Sequence, residues 1–93
     1  MEADYFRVDK DKVFFNYVEK FDSGEDDCLH GEFDLREYRR GIDKLNGNGD
    51  CELSGKDCSM KISRKMDLID IIFFGCNKVF FIDGIQTKSL ALI

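Results

Sequence analysis

Apolar and polar residues alternate near the start of the chain, and this pattern predicts a β-hairpin. Two apolar-rich runs, 5–8 and 13–21, flank the polar turn "DKDK" at 9–12. In the second run, Asn16 and Lys20 fall on the face opposite to most of the large apolar side chains. The hairpin is therefore expected to bury one face and to leave the other face in contact with water. The residues expected on the buried face are Val13, Phe15, Tyr17 and Phe21.

The pattern changes to a helical period in "DLREYRRGIDKLNGNG". Its apolar residues fall three to four positions apart, which places them on one stripe of a helix. Asp34 is positioned to cap the amino-terminal end, with Glu37 three residues later as in a capping box. The pair at 46–47, Asn-Gly, predicts the carboxy-terminal stop. The stripe consists of Leu35, Tyr38, Ile42 and Leu45.

Three more strands are predicted in the second half of the chain. Residues 59–66 alternate, with Met60, Ile62 and Met66 on the apolar side. The runs 68–74 and 79–82 are apolar on both faces, so they are expected to be central strands covered on two sides. The Gly-containing, polar stretches 22–32 and 47–58 are expected to be loops, the first ending in a short strand and the second allowing a tight hairpin.

Together these elements predict a single α+β domain over residues 1–93. The expected architecture is an antiparallel sheet of five to six strands with one helix packed on it. The one helix covers only one face of such a sheet. The second apolar face of the 68–82 hairpin must then be covered by sheet curvature, by the amino-terminal hairpin or by another chain.

Charge is distributed unevenly along the chain, whose net charge is −5. Residues 1–55 contain 15 acids and 8 bases, whereas residues 56–93 contain 4 acids and 6 bases. The acidic centre, 19–34, has seven acids and one lysine. It is either a solvated surface, paired with nearby arginines of the helix, or a surface that attracts a basic partner. The acids predicted to contact a partner are Asp22, Glu25, Asp26, Asp27, Glu32 and Asp34.

The sequence predicts a cytoplasmic protein with no membrane contact. Its amino-terminal residues are acidic, unlike a secretory leader, and its longest apolar run, 71–74, is far shorter than a membrane helix. In a reducing compartment the four cysteines are expected to be thiols rather than two disulfides. These cysteines are Cys28, Cys51, Cys58 and Cys76.

Motifs for metal binding are incomplete, so no metal or other cofactor is predicted. Cys28, His30, Cys51 and Cys58 have the residue types of a zinc site, but their spacing differs from the usual Cys-x₂₋₄-Cys knuckle. Residues 46–57 resemble an EF-hand loop at Asn46, Asn48 and Asp50. The required glycine is Cys51 and the required final glutamate is Asp57, which argues against calcium.

Catalysis and direct nucleic-acid binding are also not predicted. The one histidine, His30, lies two residues from Cys28, but no orienting group or oxyanion hole is identifiable. A basic patch is available in the second half of the chain, yet the acidic pI of about 4.8 opposes nucleic-acid binding. Its members are Lys61, Arg64, Lys65, Lys78 and Lys88.

The remaining function class is a small acidic protein that binds another protein without catalysis. We predict an inhibitor that blocks a basic, nucleic-acid-binding surface of a nuclease, defence effector or toxin. An anti-defence protein of a phage or mobile element, such as an anti-CRISPR, and an immunity protein that neutralises a toxin both fit this prediction. The alternative is a structural or assembly subunit that forms a homodimer through its apolar hairpin at 68–82.

Overall fold

Two antiparallel sheets and one α-helix make up the fold, in a computed structural model that describes residues 5–20, 23–24, 26–45, 48–75 and 77–90. Sheet A has three strands and sheet B has four, and within each sheet the strands follow one another in chain order. The α+β class is thus confirmed. The prediction of one sheet with five to six strands is wrong, because seven strands form two separate sheets.

Sheet A consists of β1 (Phe6–Asp9), β2 (Lys12–Lys20) and β3 (Asp26–Asp34). The amino-terminal hairpin is confirmed, and Val13 and Phe15 are completely buried on its inner face. The prediction that 22–32 is mainly a loop is wrong, because β3 pairs with β2 over nine residues. Its inner face combines Leu29 and Phe33 with Gly31, where a Cβ atom would lie 3.1 Å from the ring of Phe73 on the opposite sheet.

The helix α1 (Leu35–Asp43) begins where the sequence predicted. A carboxylate oxygen of Asp34 accepts hydrogen bonds from the backbone N–H groups of Arg36 and Glu37, at 3.0 and 3.2 Å. Tyr38 is fully buried on the predicted apolar stripe. The predicted stop at 46–47 lies outside the described residues. Within them, the helix ends with hydrogen bonds from the backbone N–H groups of Lys44 and Leu45 to the carbonyls of residues 41 and 42, at 3.1 and 2.9 Å.

Sheet B consists of β4 (Asn48–Ser54), β5 (Cys58–Lys65), β6 (Leu68–Gly75) and β7 (Lys78–Gln86), and a 3₁₀ turn (Thr87–Ser89) follows it. Most of the predicted loop 47–58 is therefore a strand, hairpin-linked to β5. The burial pattern of β4 explains this difference, because Cys51 and Leu53 alternate inward from polar neighbours. Met66, predicted on the apolar side of β5, instead lies in the following turn and is 74% exposed.

The core lies between the inner faces of the two sheets, with α1 against β2, β3 and β4. Phe15 of β2 stacks on Phe73 of β6, with ring centroids 5.5 Å apart. The backbone N–H of Lys56 donates to the carbonyl of Glu32, which joins the β4–β5 turn to β3. Within the described chain, no helix is long and apolar enough to cross a membrane.

The two-sided burial predicted for the 68–82 hairpin is wrong. β7 forms an edge of sheet B, and only the inner faces of β6 and β7 are buried, at positions such as Ile71 and Ile82. The outer faces carry large apolar side chains that remain exposed. Sheet A packs against the inner side of this hairpin, where Phe15 stacks on Phe73.

Candidate functional site

The outer face of sheet B carries adjacent apolar side chains that are accessible to solvent. Phe81 is 73% exposed, Val79 is 50% exposed and Phe74 is 42% exposed. The strand register places Phe81 directly opposite the partly exposed Ile72, and Val79 directly opposite Phe74. We call these four residues, Ile72, Phe74, Val79 and Phe81, the apolar patch.

Charged side chains surround the apolar patch on the same outer face. Lys61 lies directly opposite Ile72 in the next strand, with its ammonium 3.9 Å from the carboxylate of Asp50. The carboxylate of Asp70 accepts a hydrogen bond from the backbone N–H of residue 84, at 3.3 Å. The rim contains more acids than bases, so this face carries net negative charge. Its acids are Asp50, Glu52, Asp70 and Asp83, and its bases are Lys61 and Lys65.

The acidic segment predicted to bind a partner forms much of the β2–β3 hairpin. Asp26 and Asp27 lie at the start of β3, opposite residues 20 and 19 of β2. Asp22 and Glu25 lie outside the described residues. Both remaining acids have local roles, because Glu32 pairs with Lys12 at 3.1 Å and Asp34 caps α1.

The outer face of sheet A mixes charges rather than concentrating acids. The guanidinium of Arg7 lies over the ring of Phe14, 5.7 Å from its centroid. Glu32 holds the ammonium of Lys12, and this hydrogen bond raises the pKa of Lys12. Asn16 hydrogen-bonds through its side-chain oxygen to the Nδ1 of His30, at 2.7 Å. Both charge and aromatic surface on this face are therefore matched by neighbours in the same sheet.

The four residues considered as zinc ligands do not all meet at one place. Cys28 and His30 are exposed on β3 and, with the half-buried Cys58, line one small cavity, whereas Cys51 points into the core from β4. Asp50 lies on a strand rather than in a calcium-binding loop. Among the residues that the structure describes, no three His, Cys, Asp or Glu side chains are close enough to hold a metal ion.

The thiols also differ in their readiness to react. Burial raises the pKa of the Cys51 thiol, so less of it is thiolate at neutral pH than in an exposed cysteine. Cys28 is exposed, and Cys58 is half-buried. Cys76 lies outside the described residues.

A small cavity of about 100 Å³ lies between the sheets near one end of β7. Leu29 and Phe73 belong to its apolar wall, and His30, Asp57 and Lys78 are among its polar lining residues. Its volume is below the roughly 300–1,000 Å³ typical of sites for drug-sized ligands. The cavity therefore offers little space for a substrate.

The basic residues considered for nucleic-acid binding have different local surroundings. Arg64 donates from Nη1 to the carbonyl of Leu45 at 2.9 Å, and from Nε to the carbonyl of Met66 at 2.8 Å. Lys61 lies beside Asp50 within the acidic rim. These contacts engage Arg64 and Lys61 with neighbouring groups of the same chain.

Comparison with models of protein families, with curated proteins and with solved structures finds no match to this chain. The surfaces themselves therefore carry the functional argument. The sequence-based prediction assigned the partner contact to the acidic segment 19–34 and named the apolar hairpin at 68–82 only as the alternative surface, for self-association. Apolar residues on both faces of 68–82 indicated that something must cover the second face, and the structure identifies that face.

Proposed function

We propose that this protein acts by binding another protein without catalysis, and that the apolar patch is the centre of the contact. The observation that carries the proposal is the exposure of Phe81, Val79 and Phe74 side by side on one face of sheet B. Isolated exposed apolar residues are ordinary on protein surfaces, whereas a contiguous group rimmed by polar residues is typical of an interaction site.

The composition of the apolar patch suits a binding hot spot. Large aromatic side chains near the centre of an interface typically account for most of the binding free energy, while the surrounding polar residues exclude water. Phe81 and Phe74 occupy such a centre, and the charged residues of sheet B form the rim. The rigid β-strands that hold these rings reduce the conformational entropy lost on binding.

The rim and the net charge favour a basic partner. Four acids and two lysines border the apolar patch, and the whole chain carries a net charge of −5. A nucleic-acid-binding surface of a nuclease, defence effector or toxin has the complementary charge. We therefore propose a cytoplasmic inhibitor of such a protein, acting as an anti-defence protein, such as an anti-CRISPR, or as a toxin-neutralising immunity protein.

The acidic residues that were predicted to contact the partner have a smaller role in this proposal. Glu32 and Asp34 are engaged within the fold, so their substitution would disturb local structure as well as charge. Asp26 and Asp27 lie at the start of β3. We propose that they, with Asp22 and Glu25, steer the approach of a basic partner from outside the central contact.

A photo-crosslinking amino acid at position 81 tests the proposed contact in cells that contain the target. The same probe at position 39, on the exposed side of α1, is the control. We expect a protein target to crosslink from position 81 only. Equal crosslinking from both positions, or crosslinking from position 39 only, would contradict the proposed contact.

Two valine substitutions then provide a matched test on the purified target. Val79 is 50% exposed on sheet B and Val18 is 47% exposed on sheet A. We expect Val79→Ser to weaken target binding about tenfold, equivalent to about 1.4 kcal/mol, while Val18→Ser leaves it unchanged. The opposite ranking in a calorimetric titration would place the interface on sheet A.

A structural or assembly subunit is the second candidate, and the same exposed patch favours it. An apolar hairpin at the edge of a sheet can pair with another copy of the same chain. Self-association and target binding are not exclusive, because a homodimer can present two patches to one partner.

A further inference from the structure

β7 has an outer edge that no other described strand pairs with. β7 lies at the end of sheet B and pairs only with β6 among the described strands. Its residues 78–82 pair in regular register with residues 71–75 of β6. The regularity ends beyond them, where the register shifts between Ile69 and Ile71 and Gly84 adopts a φ of +69°. Residues 78–82 therefore form a five-residue edge in regular register.

The other sheet edges are shorter or are in contact with other elements. β1 has four residues. β4 packs against α1, and β3 receives the N–H of Lys56 at the carbonyl of Glu32. Natural proteins usually protect a long edge strand by charge, by a bulge or by covering it. Residues 78–82 carry one lysine and four apolar residues, so this edge has little such protection.

We propose that a second copy of the chain adds its own β7 to this edge, antiparallel, across a two-fold axis centred on Phe80. This register pairs the whole regular segment, because Phe80 is the midpoint of 78–82. It places Val79 opposite the partner subunit's Phe81, and Phe81 opposite the partner subunit's Val79. The two sheets B would then form one eight-stranded sheet.

The side chains favour this register over its neighbours. Directly opposed residues of an antiparallel pair lie on the same face of the sheet, so Val79 and Phe81 meet on the outer face. Pairs of an aromatic and a β-branched side chain stabilise such contacts. Centring the axis on Phe81 would instead place Val79 opposite the charged Asp83 and extend the pairing into the irregular segment.

The pairing also joins the two apolar patches. The register within one chain already aligns Ile72 with Phe81 and Phe74 with Val79. Across the axis, each of these rows continues into the opposite row of the second copy. The result is a continuous apolar band on one face of the dimer. Use of this band to bind a target rests on the proposed function, whereas the dimer itself does not.

Association is expected to be weak and dependent on concentration. Five residues per strand bury much less area than the roughly 1,200–2,000 Å² of a stable protein interface. Disulfide trapping suits such a dimer, because opposed strand positions have the Cα separation that a disulfide needs. The purified chain is sufficient for the experiment, and no target protein is required.

The test compares two cysteine pairs in a chain that also carries Cys28→Ser and Cys76→Ser. Val79→Cys with Phe81→Cys places thiols on the proposed interface. Glu52→Cys with Ser54→Cys is the control, with the same spacing on β4 and both residues exposed. Under mild oxidation, we expect the first pair to form covalent dimers at least about tenfold faster, because opposed thiols have a high effective concentration.

Single substitutions then test the register. Val79→Cys and Phe81→Cys chains should crosslink to each other in a mixture more rapidly than either crosslinks to itself. Equal rates for the β7 and β4 pairs would overturn the dimer. Faster self-crosslinking of either single variant would overturn the register, and rapid self-crosslinking of Phe74→Cys would show face-to-face packing instead. None of these outcomes depends on target binding, so failure of the dimer and failure of the proposed function remain distinguishable.

Discussion

The outer faces of the two sheets differ in how far their aromatic side chains are covered by neighbouring residues. On sheet A, the ring of Phe14 lies half-buried beneath the guanidinium of Arg7. On sheet B, Phe81 is 73% exposed and lies beside Val79 and Phe74, which are also exposed. Both faces belong to antiparallel sheets of one small protein, so small size alone does not account for the bare surface of sheet B.

On sheet A, the ring of Phe14 is partly covered by another side chain of the same protein, whereas the rings of Phe74 and Phe81 on sheet B remain exposed. A cation over an aromatic face stabilises the ring and excludes some water from it. The exposed rings of sheet B are left to water, which is unfavourable unless another molecule covers them for part of the time. The contrast is therefore the main structural reason for assigning the contact to sheet B.

Truncation of Phe14 and of Phe81 should give the largest difference between the two outer faces, both in stability and in target binding. We expect Phe14→Ala to lower the free energy of unfolding by about 1–2 kcal/mol, because its ring is half-buried against Arg7. Phe81→Ala should lower it by less than about 0.5 kcal/mol, but weaken target binding more than about tenfold. Denaturant titration and calorimetry measure the two effects. A loss of stability from Phe81→Ala equal to that from Phe14→Ala would show that both rings are structural.

Local sequence patterns predicted an element correctly where its apolar residues lie on a single face of that element. The amino-terminal hairpin and the start of α1 follow directly from alternation, from helical periodicity and from the capping side chain of Asp34. The β3 strand was mistaken for a loop because glycine and acids make up most of it, whereas for β4 the pattern allowed either a loop or a tight hairpin. Gly31 belongs in β3 for a tertiary reason, since Phe33 and Phe73 leave no space for a Cβ atom. That proximity depends on the packing of two sheets, which no local pattern contains.

Charge reversal on sheet A tests whether the acidic hairpin steers a partner. Asp26→Lys with Asp27→Lys should slow association with a basic target several-fold and reduce its dependence on salt, with little change in the dissociation rate. Asp9→Lys with Asp11→Lys changes the net charge equally and is the control. Stopped-flow measurements at several salt concentrations give the rates. Equal slowing by both pairs would indicate a general effect of net charge rather than a steering hairpin.

The candidate site was less predictable than the fold. Whether one face of a strand is exposed depends on which other element packs against that face, and a local sequence pattern does not contain this packing. The apolar hairpin at 68–82 was predicted correctly from the sequence. The sequence did not indicate which of its two faces would be covered by another sheet. Asp34 was predicted both as the helix cap and as a partner contact, whereas Glu32 was identified only as a negative charge. The ion pair of Glu32 with Lys12 depends on the pairing of β3 with β2, which was not predicted.

Replacement of the cap separates structure from binding at Asp34. Asp34→Ala should lower the free energy of unfolding by about 1 kcal/mol, because two N–H groups of α1 lose their acceptor. Asp34→Asn should retain most of the stability while removing the charge. Denaturant titration measures stability, and target affinity should be unchanged in Asp34→Asn. Weaker binding by Asp34→Asn at unchanged stability would restore this acid to the contact surface.

The smallest effect is expected at the ion pair on the outer face of sheet A. Lys12→Met removes the cation that holds Glu32 at 3.1 Å, and the exposed position of this pair implies only a slight loss of stability at neutral pH. The hydrogen bond from Lys12 to Glu32 raises the pKa of Lys12 above its ordinary value of 10.5, so the folded state favours the charged lysine. This contribution is present below that ordinary value and is lost as the pH rises through the raised pKa. The small difference in stability between the wild-type protein and Lys12→Met should therefore disappear in alkaline denaturant titrations. A difference that persists there would mean that the charge of Lys12 does not account for its contribution to the stability of sheet A.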